Sequence, residues 1–183
     1  GAAAGLKNTT GTENAVVGRD AFYENLTGGH NTALGYQAVT LNTAGNHITG
    51  VGYQALKNNT ASNGTALGSS ALRLNTSGAN NTAVGSWSLA NNTTGNYQVA
   101  IGSQALEDNT TGSNNVAIGH EALTNNTTAV NNVAVGINSM LANTTGTQNT
   151  GLGGFTLTAN TTADNNTAVG YNSLQANTTG GSN

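Results

Sequence analysis

The chain has 183 residues, 6% of them charged, with no cysteine, no proline and a formal net charge of −3. Four Lys and Arg are too few to line a phosphate track, which argues against a nucleic-acid partner, and no apolar run approaches a membrane span. Gly, Asn, Thr and Ala dominate, yet the apolar residues keep fixed places, which a disordered chain has no reason to do.

Those places follow a glycine that recurs at Gly18, Gly35, Gly52, Gly68, Gly85, Gly102, Gly119, Gly136, Gly153 and Gly170. Eight of the intervals are 17 residues and one is 16. A period this short is the signature of a solenoid. The sequence predicts an all-β protein, a parallel β-solenoid (β-roll) of about ten coils forming one repeat array over residues 1–183. The chain begins and ends inside the repeat, so it reads as a fragment, a mature product or a polymerising subunit.

Within a coil the elements come in a fixed order. A branched aliphatic precedes each glycine, from Val17 and Leu34 to Leu152 and Val169. The segment around Thr82-Ala83-Val84 has strand character. The glycine then permits a corner. A small residue follows at the third position and a large apolar one at the fourth, as in Ser88-Leu89, and this segment is predicted as a second short strand. The columns predict one buried Val and one buried Leu per coil. An Asn-Thr-Thr-Gly run supplies the closing turn, with Gly or Asn able to take positive φ. The one-residue deletion between Gly52 and Gly68 falls between Asn59 and Gly64, inside that turn, where it costs least.

The seventh residue after each glycine is always asparagine: Asn25, Asn42, Asn59, Asn75, Asn92, Asn109, Asn126, Asn143, Asn160 and Asn177. Stacked coils place equivalent residues about 4.8 Å apart, so this column predicts a structural ladder of side-chain amides along a rod on the order of 50 Å long. Eight of these asparagines, at 25, 75, 92, 109, 126, 143, 160 and 177, also begin an N-x-S/T acceptor for glycans. A laddered asparagine cannot carry a sugar, and the ladder is the preferred reading. Burying one Val and one Leu is little beside the entropy of ordering a whole coil. Further burial between rods, and hence a homo-oligomer, is expected.

The runs Asn81–Gly85, Asn115–Gly119 and Asn166–Gly170, with the following Ala-Leu and Asn-Thr-Thr-Gly, resemble head repeats of trimeric autotransporter adhesins and the Asn-Thr-Gly repeats of phage tail fibres. The resemblance covers essentially the whole chain. It implies three β-rolls side by side in a fibre on a cell or virion surface. The period is longer than in the usual adhesin head coil, and no coiled-coil stalk, membrane anchor or chaperone domain is present in this sequence.

Candidate sites are sparse. The residue after each glycine forms a side-chain ridge, and Tyr36, Tyr53 and Tyr171 there, with Trp87 one column on, make a possible contact ridge for host-surface glycan or protein. The alternative is that these aromatics pack between neighbouring rods. Glu13, His30 and His47 share a column in three consecutive coils. They read as variable turn residues, with a metal cluster as the weaker alternative. No catalytic residues, cofactor or metal are assigned, because no acids converge and neither a nucleophile elbow nor a phosphate loop is present. Adjacent threonines such as Thr93-Thr94 suit turns better than an ice-binding face, which needs threonine at alternate positions. The function expected is a structural or adhesive fibre segment without catalysis. The alternatives are a self-polymerising extracellular filament subunit and an ice-binding solenoid.

Overall fold

A computed structural model describes all of residues 1–183. Each coil contributes one three-residue strand, β1 (Ala15–Val17), β2 (Thr32–Leu34), β3 (Thr49–Val51), β4 (Thr65–Leu67), β5 (Thr82–Val84), β6 (Val99–Ile101), β7 (Val116–Ile118), β8 (Val133–Val135), β9 (Thr150–Leu152) and β10 (Thr167–Val169). They pair in sequence order into one parallel sheet of ten strands. The register is equivalent to equivalent: Thr82 lies opposite Val99, Ala83 opposite Ala100 and Val84 opposite Ile101. The 16-residue coil keeps that register, with Thr49 opposite Thr65, so the deletion is absorbed outside the strands. The protein is a β-solenoid.

The middle residue of each strand points inward and is Ala or Gly in β2–β10, with Val16, partly buried at the end of the rod, in β1. Ala83, Ala100 and Ala117 are fully buried. Neighbours on a strand face opposite ways. The aliphatic before each glycine therefore faces out, and this corrects the expectation of a buried Val in each coil. Leu34 is 44% exposed and Ile101 38%. The core is instead built from that Ala, the small residue and the large apolar residue beyond the glycine, in one continuous cluster from Ala21 to Ala168.

The predicted second strand does not form. Ser88 and Leu89 are consecutive and both fully buried, which alternation along a strand forbids. The chain meets this demand with turns and a left-handed backbone. Leu89 has φ 52° and Leu106 φ 53°, and Trp87 and Gln104 are likewise left-handed. A left-handed non-glycine residue costs about 1–2 kcal/mol. Full burial of a leucine side chain contributes about 1.5–3 kcal/mol and offsets it. The backbone stays bonded between coils: the Leu89 N–H donates to the Ala105 carbonyl at 2.9 Å and the Asn91 N–H to Glu107 at 3.0 Å.

The repeating glycine has a second reason besides its φ of 131° at Gly85. A Cβ on Gly85 would stand 2.5 Å from the carbonyl oxygen of Gly102. Successive backbones approach too closely there for any side chain. The glycine of the Asn-Thr-Thr-Gly turn is different. It is not left-handed, and Ala61, Ala129 and Ala163 take its place in three coils. The left-handed residue lies two positions further on, at Asn80, Asn114 and Asn131. Asparagine suits that conformation better than most residues.

Candidate contact surfaces

Two amide ladders run inside the rod. In the first, Asn92 Nδ2 donates to Asn75 Oδ1 at 2.7 Å, Asn109 to Asn92 at 2.9 Å and Asn126 to Asn109 at 2.8 Å. The chain of bonds continues through Asn143, Asn160 and Asn177, and in the first coils Asn25 donates to Asn8 and Asn42 to Asn25. Each amide has a second task. Asn92 Nδ2 also donates to the Gly95 carbonyl at 3.0 Å, which closes its own turn. One donor group with two hydrogens and one acceptor are needed, a combination that aspartate lacks. The ladder has one gap. Asn59 donates to Ala61 at 2.6 Å, within the shortened turn, and makes no bond to Asn42. Asn25, Asn75, Asn92, Asn109, Asn126, Asn143 and Asn160 are all buried, so they are closed to glycan attachment.

The second ladder stands four residues before each glycine and was not singled out from sequence. Asn132 Nδ2 donates to the Gly146 carbonyl at 2.9 Å, and its Oδ1 accepts the backbone N–H of Asn149 at 2.9 Å. Each side chain thus satisfies two buried backbone groups of the next coil. Asn115 does the same with Ala129 and Asn132, and Gln98 reaches Gly112 and Asn115 in the same way. The signal was in the sequence, in Asn81, Asn115, Asn132, Asn149 and Asn166, but the interruptions by Ile48, Gly64 and Gln98 blurred the column. Threonine hydroxyls form a third, outer ladder: Thr93 Oγ1 donates to the Thr110 carbonyl at 3.0 Å and Thr110 to Thr127 at 3.1 Å.

The outer surface carries the groups available for contact. Tyr36 and Tyr53 stack with centroids 5.6 Å apart and planes 14° apart, and the Arg19 guanidinium caps Tyr36. Trp87 lies beneath the Arg73 guanidinium, and Tyr171 meets Phe155 edge to face. Tyr36, Tyr53 and Tyr171 share the column after the glycine, the first two in adjacent coils, and Trp87 stands one column on. His30 and His47 stack face to face at 5.0 Å, and His30 Nδ1 lies 2.6 Å from Glu13 Oε2. Stacked rings hold their nitrogens side by side, and no group of three His, Asp or Glu converges on a common point for a metal ion. No pocket opens on the rod, and no helix is long and apolar enough to cross a membrane.

An apolar column runs the length of the sheet in the outward aliphatics Val17, Leu34, Val51, Leu67, Val84, Ile101, Ile118, Val135, Leu152 and Val169, one per strand. Beside it runs a column of Thr32, Thr49, Thr65, Thr82, Val99, Val116, Val133, Thr150 and Thr167. Comparison with protein-family models, with curated proteins and with solved structures finds no match to the chain.

Proposed function

We propose that the protein is a non-catalytic structural and adhesive fibre segment of a cell or virion surface, in which copies associate side by side through the outward aliphatic column. The observation that carries this reading is the exposed stripe itself. Contiguous exposed apolar surface marks association sites. Here an aliphatic stands on all ten strands, exposed on seven and half-exposed at Val51, Val84 and Val135, and the one-column width suits rods converging on a common axis. Resemblance of the repeat to trimeric adhesin heads favours three copies. The coils meanwhile supply what a fibre needs: a stiff rod, bonded along its length, that repeats a surface.

Light scattering on the purified chain tests the proposal. A discrete trimer that Ile101→Glu and Ile118→Glu convert to monomer supports it. A growing, polydisperse mass points to an end-to-end filament, since the open edges of β1 and β10 invite addition. A stable monomer overturns the reading. It would favour an ice-binding solenoid, for which the alternation of threonine and aliphatic on the outer strand face is the supporting observation, with thermal hysteresis as its measurement.

A further inference from the structure

Lys and Arg number four in this chain. Lys7 pairs with Glu24 at 2.8 Å and Arg19 with Asp20 at 3.3 Å. Lys57 and Arg73 pair with no acid, and the buried Arg73 Nε has no hydrogen-bond partner. These two are neighbours. Each lies five residues after its glycine, Gly52 or Gly68. The Asn58 N–H donates to the Arg73 carbonyl at 3.1 Å, which holds the two coils in register at this point. Their backbones are thus one coil, about 4.8 Å, apart. Like charges so placed repel, and a buried N–H without an acceptor carries a desolvation cost. The next acid in the same column, Glu107, stands two coils beyond Arg73, with Ala90 between.

The guanidinium lies 5.1 Å from the centroid of Trp87, which remains 40% exposed. Stacking holds the planar donor fork in a fixed attitude. The patch therefore combines two uncompensated cations and an exposed indole; the buried Nε lies out of a ligand's reach, so the terminal guanidinium nitrogens of Arg73 make the contact. We propose that it binds a carboxylate-bearing saccharide, with the carboxylate on Arg73 and Lys57 and an apolar sugar face against Trp87. A planar carboxylate matches the guanidinium fork, and the indole offers a broad apolar surface with a polar edge. A net charge of −3 gives no long-range steering of an anion, so contact with this patch supplies the selectivity. The inference rests on the adhesive reading and names its ligand class.

Trp87 is the only tryptophan, so its fluorescence reports on the patch directly. The full chain is titrated with 3′-sialyllactose, lactose, sodium acetate and a polyglutamate peptide. The expected result is a saturable change with sialyllactose alone, weakened by added salt. Arg73→Gln weakens it by at least about tenfold, Arg73→Lys by less, and Lys7→Gln leaves it unchanged. Circular dichroism confirms that each variant folds. No response to sialyllactose, an equal response to lactose or acetate, or an Arg73→Gln variant that binds normally overturns the proposal. A stronger response to the peptide overturns it in favour of an acidic protein partner. Light scattering on the same samples separates the two ideas. Binding by a monomer sinks the fibre alone, and a trimer without binding sinks the saccharide site alone.

Discussion

The coils before Gly68 and those after it share a backbone but are tied together differently. From Asn75 to Asn177 the first amide ladder is unbroken, and from Asn81 to Asn183 every side-chain oxygen of the second accepts a backbone N–H of the next coil, with only the buried Asn166 Nδ2 left without a partner. Before Gly68 the first ladder breaks between Asn42 and Asn59, and Ile48 and Gly64 interrupt the second. There the surface ties include an ion pair and stacked rings, Lys7 to Glu24, Glu13 to His30, His30 on His47 and Tyr36 on Tyr53, where the later coils use chiefly amide and hydroxyl contacts such as Asn91 to Asp108 and Thr147 to Asp164. Strand register survives the change of method, because Thr49 still faces Thr65. Backbone pairing sets the fold, and the side-chain ladders set how firmly each coil grips the next.

The comparison breaks most severely at Asn92. Asn92→Asp puts a carboxylate where two donated bonds were needed, and unfolding in urea should show a loss of about 3–5 kcal/mol at neutral pH. Leu106→Ala empties the core of one coil, for about 2–5 kcal/mol by the same measurement. A sharper test sets Asn126→Ala against Asn59→Ala. Asn126 donates to Asn109 and to Ala129 and accepts from Asn143, whereas Asn59 accepts from Asn75 but donates only within its own turn, so it has one ladder bond fewer. The expected losses are about 1–3 kcal/mol at Asn126 and about 1 kcal/mol at Asn59. Equal losses would mean that the bond donated to the preceding coil adds nothing to the turn. Inserting Thr after Thr60 restores the 17-residue period, and a regained Asn59–Asn42 bond should stabilise by about 1 kcal/mol.

The smallest effect is expected at Lys7, whose pKa is raised chiefly by its hydrogen bond to Glu24. A raised folded-state value means that the pair contributes fully below the ordinary lysine pKa and that its contribution disappears as pH rises through the folded value. Because the pair is solvent-exposed, Lys7→Gln should leave the neutral-pH melting temperature unchanged, and any difference between the two chains should vanish in strong alkali.

The solenoid, its period and the interior place of the asparagine column were legible because each depends on a residue that recurs without exception. The direction of the aliphatic column was not. Val84 and Leu89 look equally suited to a core, and only the one-strand coil, with its Ala83 turned inward, decides between them. The left-handed leucines were hidden for a related reason. Nothing in a leucine announces positive φ, which is imposed at Leu89 by the need to bury two successive residues. The unpaired Lys57 and Arg73 were visible as letters, but their isolation emerges only when the coils are stacked.

Apart from Asn59, the amides of the first ladder point one way, each Nδ2 donating to the coil before it. Their small dipoles add, with the positive pole toward the N-terminus. The formal charges lie in the same sense: every Lys and Arg stands at or before Arg73, and only Glu107, Asp108, Glu121 and Asp164 follow. The rod therefore has an electrical head and tail. Parallel neighbours repel weakly, whereas rods in line attract. Salt, which screens both effects, shifts the balance toward bundles, and dilute buffer shifts it toward chains.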